Sequence, residues 1–405
     1  MSNAFLHGFL DEEMFMKQPQ GFIDVTKPDF VCRLHKSLYG FKQAPRAWFQ
    51  RLSQQLIELG FQESINDYSL FTLHADNTKL FVLIYVDDIL VTSSSSIKID
   101  TLIRSLQSIF QVKDLGSLSY FLGVEADRNS QGLHLCQNKY ICDLLHRTKI
   151  VGAKPLASPI VTGTKLSSFD GEVLSDPTDY RHIIGALQYC TITRPDIAYV
   201  VKQLCQYMHQ PRSSHWQAMK RVLRYLKGTV NDGLYYTPSF LDIHTYCDSE
   251  WVGNPDDRRS TSGYGVFLGR NLVSWSSKKQ FVMSRSSTEA EYRSMALATA
   301  ELYWIRMFFK ELGIGISCTP TLWCDNISAI ALASNPVFHA RTKHVEIDYH
   351  FIREKVCNRD GKVQYISTLD QVADIFTKGQ SAQRFQVLKH KLMVCSCPMN
   401  LKGGC

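Results

Sequence analysis

The stretch Leu80-Phe81-Val82-Leu83-Ile84-Tyr85-Val86-Asp87-Asp88-Ile89-Leu90-Val91 sets two adjacent carboxylates inside an apolar, β-rich run. Burying one unpaired carboxylate is costly, and burying two side by side is more so. A strand–turn–strand hairpin resolves the conflict. Its apolar arms enter a sheet and its tip carries Asp87 and Asp88 outward, where a divalent cation can neutralise them. The plain alternative is an Asp-containing turn between buried strands. Split by its two acids, the run is too short to span a bilayer. At the amino terminus Asp11, Glu12 and Glu13 follow only a short apolar opening, which does not read as a signal peptide.

With 405 residues, 44% hydrophobic and 20% charged, the chain has room for two or three domains with proper cores. A net charge of +7 permits a nucleic-acid partner without requiring one. Twelve cysteines are scattered without a framework, which fits thiols in a reducing, intracellular compartment. Cys395-Ser396-Cys397 and Cys405 are clustered, but no matching Cys/His pair stands near them in sequence, so no zinc site is expected there.

Lys154 to Asp179 holds Pro155, Pro159 and Pro177 among Ser, Thr and Gly and reads as a long connection. A helical region follows, from Tyr180 to Lys227, in which Trp216, Met219, Leu223 and Leu226 make one apolar stripe. Lys220, Arg224 and Lys227 form a neighbouring basic stripe, either a solvated face or a phosphate contact. Beyond Leu241 the pattern changes. Strands are expected at His244–Asp248, Ser262–Leu268, Leu272–Ser276, Thr321–Asp325 and Val363–Ile366, with a long helix after Ser287, shorter ones after Asn326 and Arg341, and a last helix at Leu369–Thr377. That order suggests a compact mixed α/β domain. From Ser381 the signal fades, and Ser396 to Cys405 reads as a loose tail.

Four acids of this second region sit where a purely structural sequence would avoid them. Asp248 and Asp325 end strands, which is also a common capping position. Ser286 and Glu289 have capping-box spacing at the start of the long helix. Along that helix Glu291 heads a stripe continued by Met295, Ala298, Leu302, Ile305, Phe309 and Leu312, so a charge is placed on a core-facing side. Asp374 falls in a last helix that Thr368 and Gln371 could cap, with Asp370 one turn earlier as a like charge. A solvated helix face is the plainer reading of that pair. Together the four acids make a candidate two-metal site, in which cations about 4 Å apart activate a water and stabilise the leaving oxygen of a phosphodiester. All-oxygen ligands favour Mg²⁺ or Mn²⁺ over zinc.

With both acidic clusters in view, the chain resembles the C-terminal part of a copia-type retrotransposon Pol polyprotein, from about Asn3 to Lys378. Asn3-Ala-Phe-Leu-His-Gly8 is similar to the stretch after the first catalytic aspartate of reverse transcriptase. Leu38-Tyr-Gly-Phe-Lys-Gln43-Ala-Pro-Arg46-Ala-Trp48 is similar to the template- and nucleotide-facing segment, Tyr85-Val-Asp-Asp88 to the catalytic hairpin of the palm, and Asp114-Leu-Gly-Ser-Leu-Ser-Tyr-Phe-Leu-Gly123 to the segment leading to the primer grip. Ser286-Ser-Thr-Glu-Ala-Glu-Tyr292, Trp323-Cys-Asp-Asn326 and Ala373-Asp-Ile-Phe-Thr-Lys378 resemble ribonuclease H signatures.

The resemblance implies an α/β and α+β multidomain chain: a truncated right-hand palm and start of thumb over residues 1–153, a linker and helical thumb or connection over 154–240, a ribonuclease H-like mixed-sheet domain over 241–380, and a tail over 381–405. It places Asp248, Glu291, Asp325 and Asp374 on ribonuclease H metal positions, Asp87 and Asp88 on polymerase metal positions, and Gln43, Arg46, Lys220, Arg224 and Lys227 against nucleic acid. The partner implied is an RNA–DNA hybrid, recognised by shape and 2′-hydroxyls. No histidine stands between Ile366 and Leu369, where some ribonucleases H carry one, and His344 and His350 fall on a helix instead. The family's first polymerase aspartate would lie three residues before Asn3, outside Met1. Polymerisation is therefore expected to be lost and hybrid cleavage to survive. The rival expectations are a nucleic-acid-binding protein without turnover, or a transposon remnant that does not fold stably. No membrane association is expected, oligomeric state is left open, and cytoplasmic particle and nucleus are not separated.

Overall fold

The computed structural model describes residues 8–75, 77–316, 318–334, 346–358 and 360–397. The chain divides after Leu118 into two compact units. Among the described residues, no helix is long and apolar enough to cross a membrane.

The first unit contains β1 (Phe9–Lys17), β2 (Val31–Lys36), α1 (Ala44–Glu58), β3 (Gln62–Glu63), β4 (Leu70–Ala75), β5 (Thr78–Tyr85), β6 (Asp88–Ser93) and α2 (Ser96–Ile109). Strands β3 to β6 form an antiparallel meander, and Leu80, Val82 and Ile84 alternate inward along β5. Helix α1 answers with Ala44, Trp48, Leu52 and Leu56 at four-residue steps, all buried. Helix α2 adds Leu102 and Leu106, closing a single core.

The expected hairpin forms. Tyr85 pairs with Asp88, and Val86-Asp87 make the two-residue turn. Asp88 is exposed at the start of β6, and Asp87 is half-buried in the turn. Short hairpins need a left-handed residue at the turn to match strand twist. Here that residue is Val86, with φ of 54°. A β-branched side chain in that region carries strain of about 1–2 kcal/mol. The buried Trp48 holds the strained turn by donating its indole N–H to the Val86 carbonyl at 2.7 Å.

The second unit opens with β7 (Tyr120–Phe121), β8 (Val124–Arg128), β9 (Leu133–Cys136), α3 (Asn138–Arg147), α4 (Thr178–Cys190), α5 (Ala198–Cys205), α6 (Ser213–Gly228) and β10 (Asp232–Tyr236). It continues with β11 (Ile243–Glu250), β12 (Thr261–Leu268), β13 (Asn271–Lys279), α7 (Ser287–Glu311), β14 (Thr321–Cys324), α8 (Ile327–Ser334), α9 (Glu346–Cys357) and β15 (Lys362–Tyr365). A 3₁₀ turn at Val372–Phe376, α10 (Ala382–Lys391) and β16 (Val394–Ser396) complete it. One sheet runs β13-β12-β11-β14-β15, with β11 antiparallel to β12 and parallel to β14, and β14 parallel to β15. That is a mixed sheet, as expected for the region beyond Leu241. The other sheet runs β16-β10-β9-β8-β7.

Four expectations differ from what is observed. The division falls at 118/119 rather than 153/154, because β9 pairs with β10 and α3 packs Ile141, Leu144 and Leu145 into the same core as α4, α5 and α6. No break occurs at residue 240 either, since that core continues through Phe267, Leu272, Val372 and Phe376. From Ser381, where the sequence signal faded, to Ser396 the chain forms defined elements: Ser381 Oγ caps α10 by accepting from Arg384 N–H, Phe385 and Leu388 are buried, and β16 adds to the sheet edge; residues 398–405 of the expected tail lie outside the described residues. The helix expected at Leu369–Thr377 is a 3₁₀ turn at Val372–Phe376 capped by Gln371 itself. Asp370 therefore precedes the helix and bonds with Ser367 and Lys391, instead of facing Asp374. Asn3 to His7, Arg341, His344 and Cys405 lie outside the described residues. His350 is exposed on α9.

The strain at Val86 is testable. Asparagine tolerates the left-handed region, so Val86→Asn is expected to stabilise the first unit by about 1 kcal/mol in urea unfolding. A loss of stability would show that the valine side chain, and not the backbone, is what the turn needs.

Candidate active site

Four elements bring the four second-region acids together. Asp248 lies near the end of the central strand β11, and Asp325 follows the neighbouring parallel strand β14. Glu291 sits in the first turns of α7, which the Ser286 hydroxyl starts by accepting from Glu289 N–H at 3.1 Å. Ser294, one turn on, donates to the Asp248 carbonyl at 2.7 Å and fixes α7 on the strand. Asp374 arrives on the 3₁₀ turn. Gln371 Nε2 donates to the Cys247 carbonyl at 2.9 Å and holds that turn down.

The turn can approach only because Gly263 on β12 lies opposite Asp248. A Cβ there would stand 2.7 Å from Phe376 Cβ and 2.7 Å from Thr377 Cγ2, closer than packed carbons allow.

The acids are buried: Asp248 is 2% exposed, Asp374 4% and Glu291 7%, while Asp325 is half-buried. Lys378 is the cation that reaches them, 2.7 Å from Asp374 Oδ1 and 3.5 Å from Asp248 Oδ2. Arg384 stands 3.8 Å from Asp374 Oδ2. Thr377 donates its hydroxyl to Asp248, and Thr368 donates to Asp325 Oδ2 at 2.9 Å. Glu291 Oε2 is buried and accepts no hydrogen bond.

Electrostatics follow from this crowding. Burial first, and then the charges of Asp248, Cys324 and Asp325, push the Glu291 carboxyl well above the usual range. Asp374 is pushed up to about 7, chiefly by burial and next by Asp248, with Lys378 pulling the other way. Burial and then Asp248 raise Asp325. Lys378 is opposed by burial, yet Asp248 and Asp374 hold its ammonium above the usual lysine range. The site thus has more carboxylate than its cations can neutralise. Ligand atoms of Glu291, Cys324 and Asp325 lie within 4.8 Å of one another. An orphaned buried oxygen beside raised carboxyls is the arrangement a divalent cation would satisfy.

The other residues singled out from sequence stand on other elements. Asp87 and Asp88 are on the first-unit hairpin, Gln43 is the residue before α1, and Arg46 is exposed on it. The basic stripe of α6 is engaged: Arg224 Nε donates to the Lys154 carbonyl at 2.8 Å, Lys227 Nζ to the Ala153 carbonyl at 2.6 Å, and Lys220 covers the Trp216 ring. Two of its three cations thus clamp the Pro-rich connection to the helix. Sequence reasoning missed Thr368, Thr377, Lys378 and Arg384. Only Lys378 carried a signal, standing four residues after Asp374.

A reverse transcriptase (RNA-dependent DNA polymerase) family model matches residues 1–162. The chain is 48% identical over 404 residues to a retrovirus-related Pol polyprotein from transposon RE2 of Arabidopsis thaliana, covering 100% of this chain and 28% of that one. It is 34% identical over 306 residues to a protein of transposon Ty5-1 of Saccharomyces cerevisiae, covering 75% of this chain and 99% of that one. The chain spans under a third of the long polyproteins it matches. Among solved structures, a ribonuclease H domain from Mycobacterium tuberculosis, fused to maltose-binding protein, aligns at 12% identity over 37% of this chain and 97% of that one, with a TM-score of 0.26.

The raised carboxyls give a signed pH dependence. A carboxyl with a raised folded pKa favours folding when protonated. Its contribution is present below the unfolded value near 3.9 and is lost as pH climbs to about 7. In chelator, urea unfolding curves are therefore expected to show stability falling between about pH 4 and about pH 7. Asp374→Asn should flatten that slope. An unchanged slope in this variant would contradict the placement of Asp374.

Proposed function

The chain belongs to the family of copia-type retrotransposon Pol polyproteins, and from that premise we propose that its second unit cleaves the RNA strand of RNA–DNA hybrids with the help of Mg²⁺ or Mn²⁺. The observation carrying this reading is the convergence of Asp248, Glu291, Asp325 and Asp374 around the unsatisfied Glu291 Oε2. These four residues would hold the cations. When bound, the cations supply an activated water and charge neutralisation at the leaving oxygen.

The chain's own groups prepare that chemistry. Thr368 fixes the Asp325 carboxylate and Thr377 fixes Asp248, so two of the four acids are oriented before any ligand arrives. Asp325 is the most open of the four and offers the side nearest solvent. Lys378, paired with Asp248 and Asp374, supplies a positive charge beside the site when other cations are absent. The product strand would carry a 3′ hydroxyl.

The first unit adds a reverse transcriptase ancestry, with Asp87 and Asp88 as the remnant of a metal-holding pair and Gln43 and Arg46 toward nucleic acid, and polymerisation itself is not proposed for it. A duplex-binding role without turnover gains no support from α6, because Arg224 and Lys227 are committed to the linker carbonyls. The setting that fits this function is intracellular.

The test is cleavage of a labelled RNA–DNA hybrid in Mg²⁺. Losing an outer partner of a metal ligand typically costs 10–100-fold, so loss of a ligand itself in Asp325→Asn is expected to slow cleavage at least about 100-fold. Circular dichroism of the variant should match the native chain. Equal rates in the two proteins, or no cleavage by the native one, would sink the proposal.

A further inference from the structure

The second sheet of this unit assembles a set of metal-binding side chains that sequence order conceals. Across β8 and β9, Asp127 pairs with His134 and Glu125 with Cys136. Two residues apart on one strand, His134 and Cys136 share a face. On the far side of β9 runs β10, and β16 pairs with β10, placing Cys395 opposite Gly233. Gly233 also abuts Cys136: a Cβ on it would stand 2.8 Å from Cys136 Cβ. The glycine therefore leaves open the space between His134-Leu135-Cys136 and Cys395-Ser396-Cys397. The Cys/His pair that the tail lacked in sequence is supplied by a strand about 260 residues earlier.

Ligand atoms of Asp127, His134 and Cys136 lie within 4.8 Å of one another. His134 is 1% exposed and Cys136 4%, while Asp127 is exposed and gives access from solvent. The decisive observation is the imidazole. Its Nε2 lies 3.0 Å from the Cys395 carbonyl oxygen, and its Nδ1 is buried with no hydrogen-bond partner. A proton on Nε2, donated to that carbonyl, leaves the Nδ1 lone pair for a cation. This is the usual arrangement of a metal-bound histidine.

We propose that Asp127, His134 and Cys136 bind a zinc ion, with Cys397 closing the fourth position. Thiolate, imidazole and carboxylate are zinc donors, and tetrahedral zinc sets its ligand atoms about 3.5 Å apart, within reach of the observed spacing by small side-chain shifts. The ion would join β8 and β9 to the C-terminal strand. That strand follows α10, whose Arg384 donates to the Thr368 and Leu369 carbonyls and flanks Asp374. Zinc would therefore secure the segment that buttresses the four acids, while being distinct from their oxygen-ligand site.

The test uses Co²⁺ as a spectroscopic substitute, titrated into the reduced full-length chain in excess Mg²⁺. A thiolate-to-cobalt absorption band that Zn²⁺ abolishes at one equivalent is expected. Cys136→Ser and the surface variant Asp127→Asn should each weaken Co²⁺ binding at least about tenfold, and Asp325→Asn should leave the band intact. No band in the native chain would overturn the proposal. So would a band indifferent to both Cys136→Ser and Asp127→Asn, or one lost in Asp325→Asn, which would place the ion beside Cys324 instead.

Discussion

Everything in the second unit is arranged around a charge that burial makes expensive. Asp248, Glu291 and Asp374 are almost fully enclosed, and Lys378 pairs with Asp248 and Asp374. Burial, and next the charge of Asp248, raises the Glu291 and Asp374 carboxyls. Such a cluster persists only if the surrounding elements hold it in place. They do so through specific bonds: Ser294 to the Asp248 carbonyl, Gln371 to the Cys247 carbonyl, and Thr377 to the Asp248 carboxylate. Gly263 completes the arrangement by leaving room for the final turn. The fold thus holds the acids together against their mutual repulsion, as the proposed cation site requires.

Much of this was legible from residue order. The apolar run split by Asp87 and Asp88 marked the first-unit hairpin, and Ser286 with Glu289 marked the start of α7. Glu291 stood out because a charge on an apolar helix face has no cheap structural explanation. What could not be read were interactions closed by tertiary pairing. No local pattern joins β9 to β10, or β10 to β16, so neither the division after Leu118 nor the pairing of β16 could be read from residue order. The Arg224 and Lys227 stripe read as a solvated or phosphate-binding face, since sequence does not reveal that linker carbonyls come to meet it. Asp370 misled for a local reason: Gln371 caps the turn, so the helix begins one residue too late for an i,i+4 contact.

The two proposed metal sites differ in their donor sets. The four acids offer mostly hard oxygen, suited to Mg²⁺ or Mn²⁺, with the Cys324 thiol beside Glu291 and Asp325. The sheet of β8, β9, β10 and β16 gathers carboxylate, imidazole and thiol, a softer set. The first unit shows a different economy, with strain held in the Val86 turn by the buried Trp48 indole. In each case a polar or strained group is stabilised by a neighbour from another element, so the chemistry of a site depends on packing some distance away.

The central claim is that the four carboxylates are a cation site which Lys378 occupies only in part. Anomalous diffraction from crystals soaked in Mn²⁺ tests it directly. The account predicts manganese peaks among Asp248, Glu291, Asp325 and Asp374, with the Lys378 ammonium moved away from Asp248 and Asp374. Crystals saturated with Mn²⁺ that show no peak there, and Lys378 still bridging the two aspartates, would contradict it.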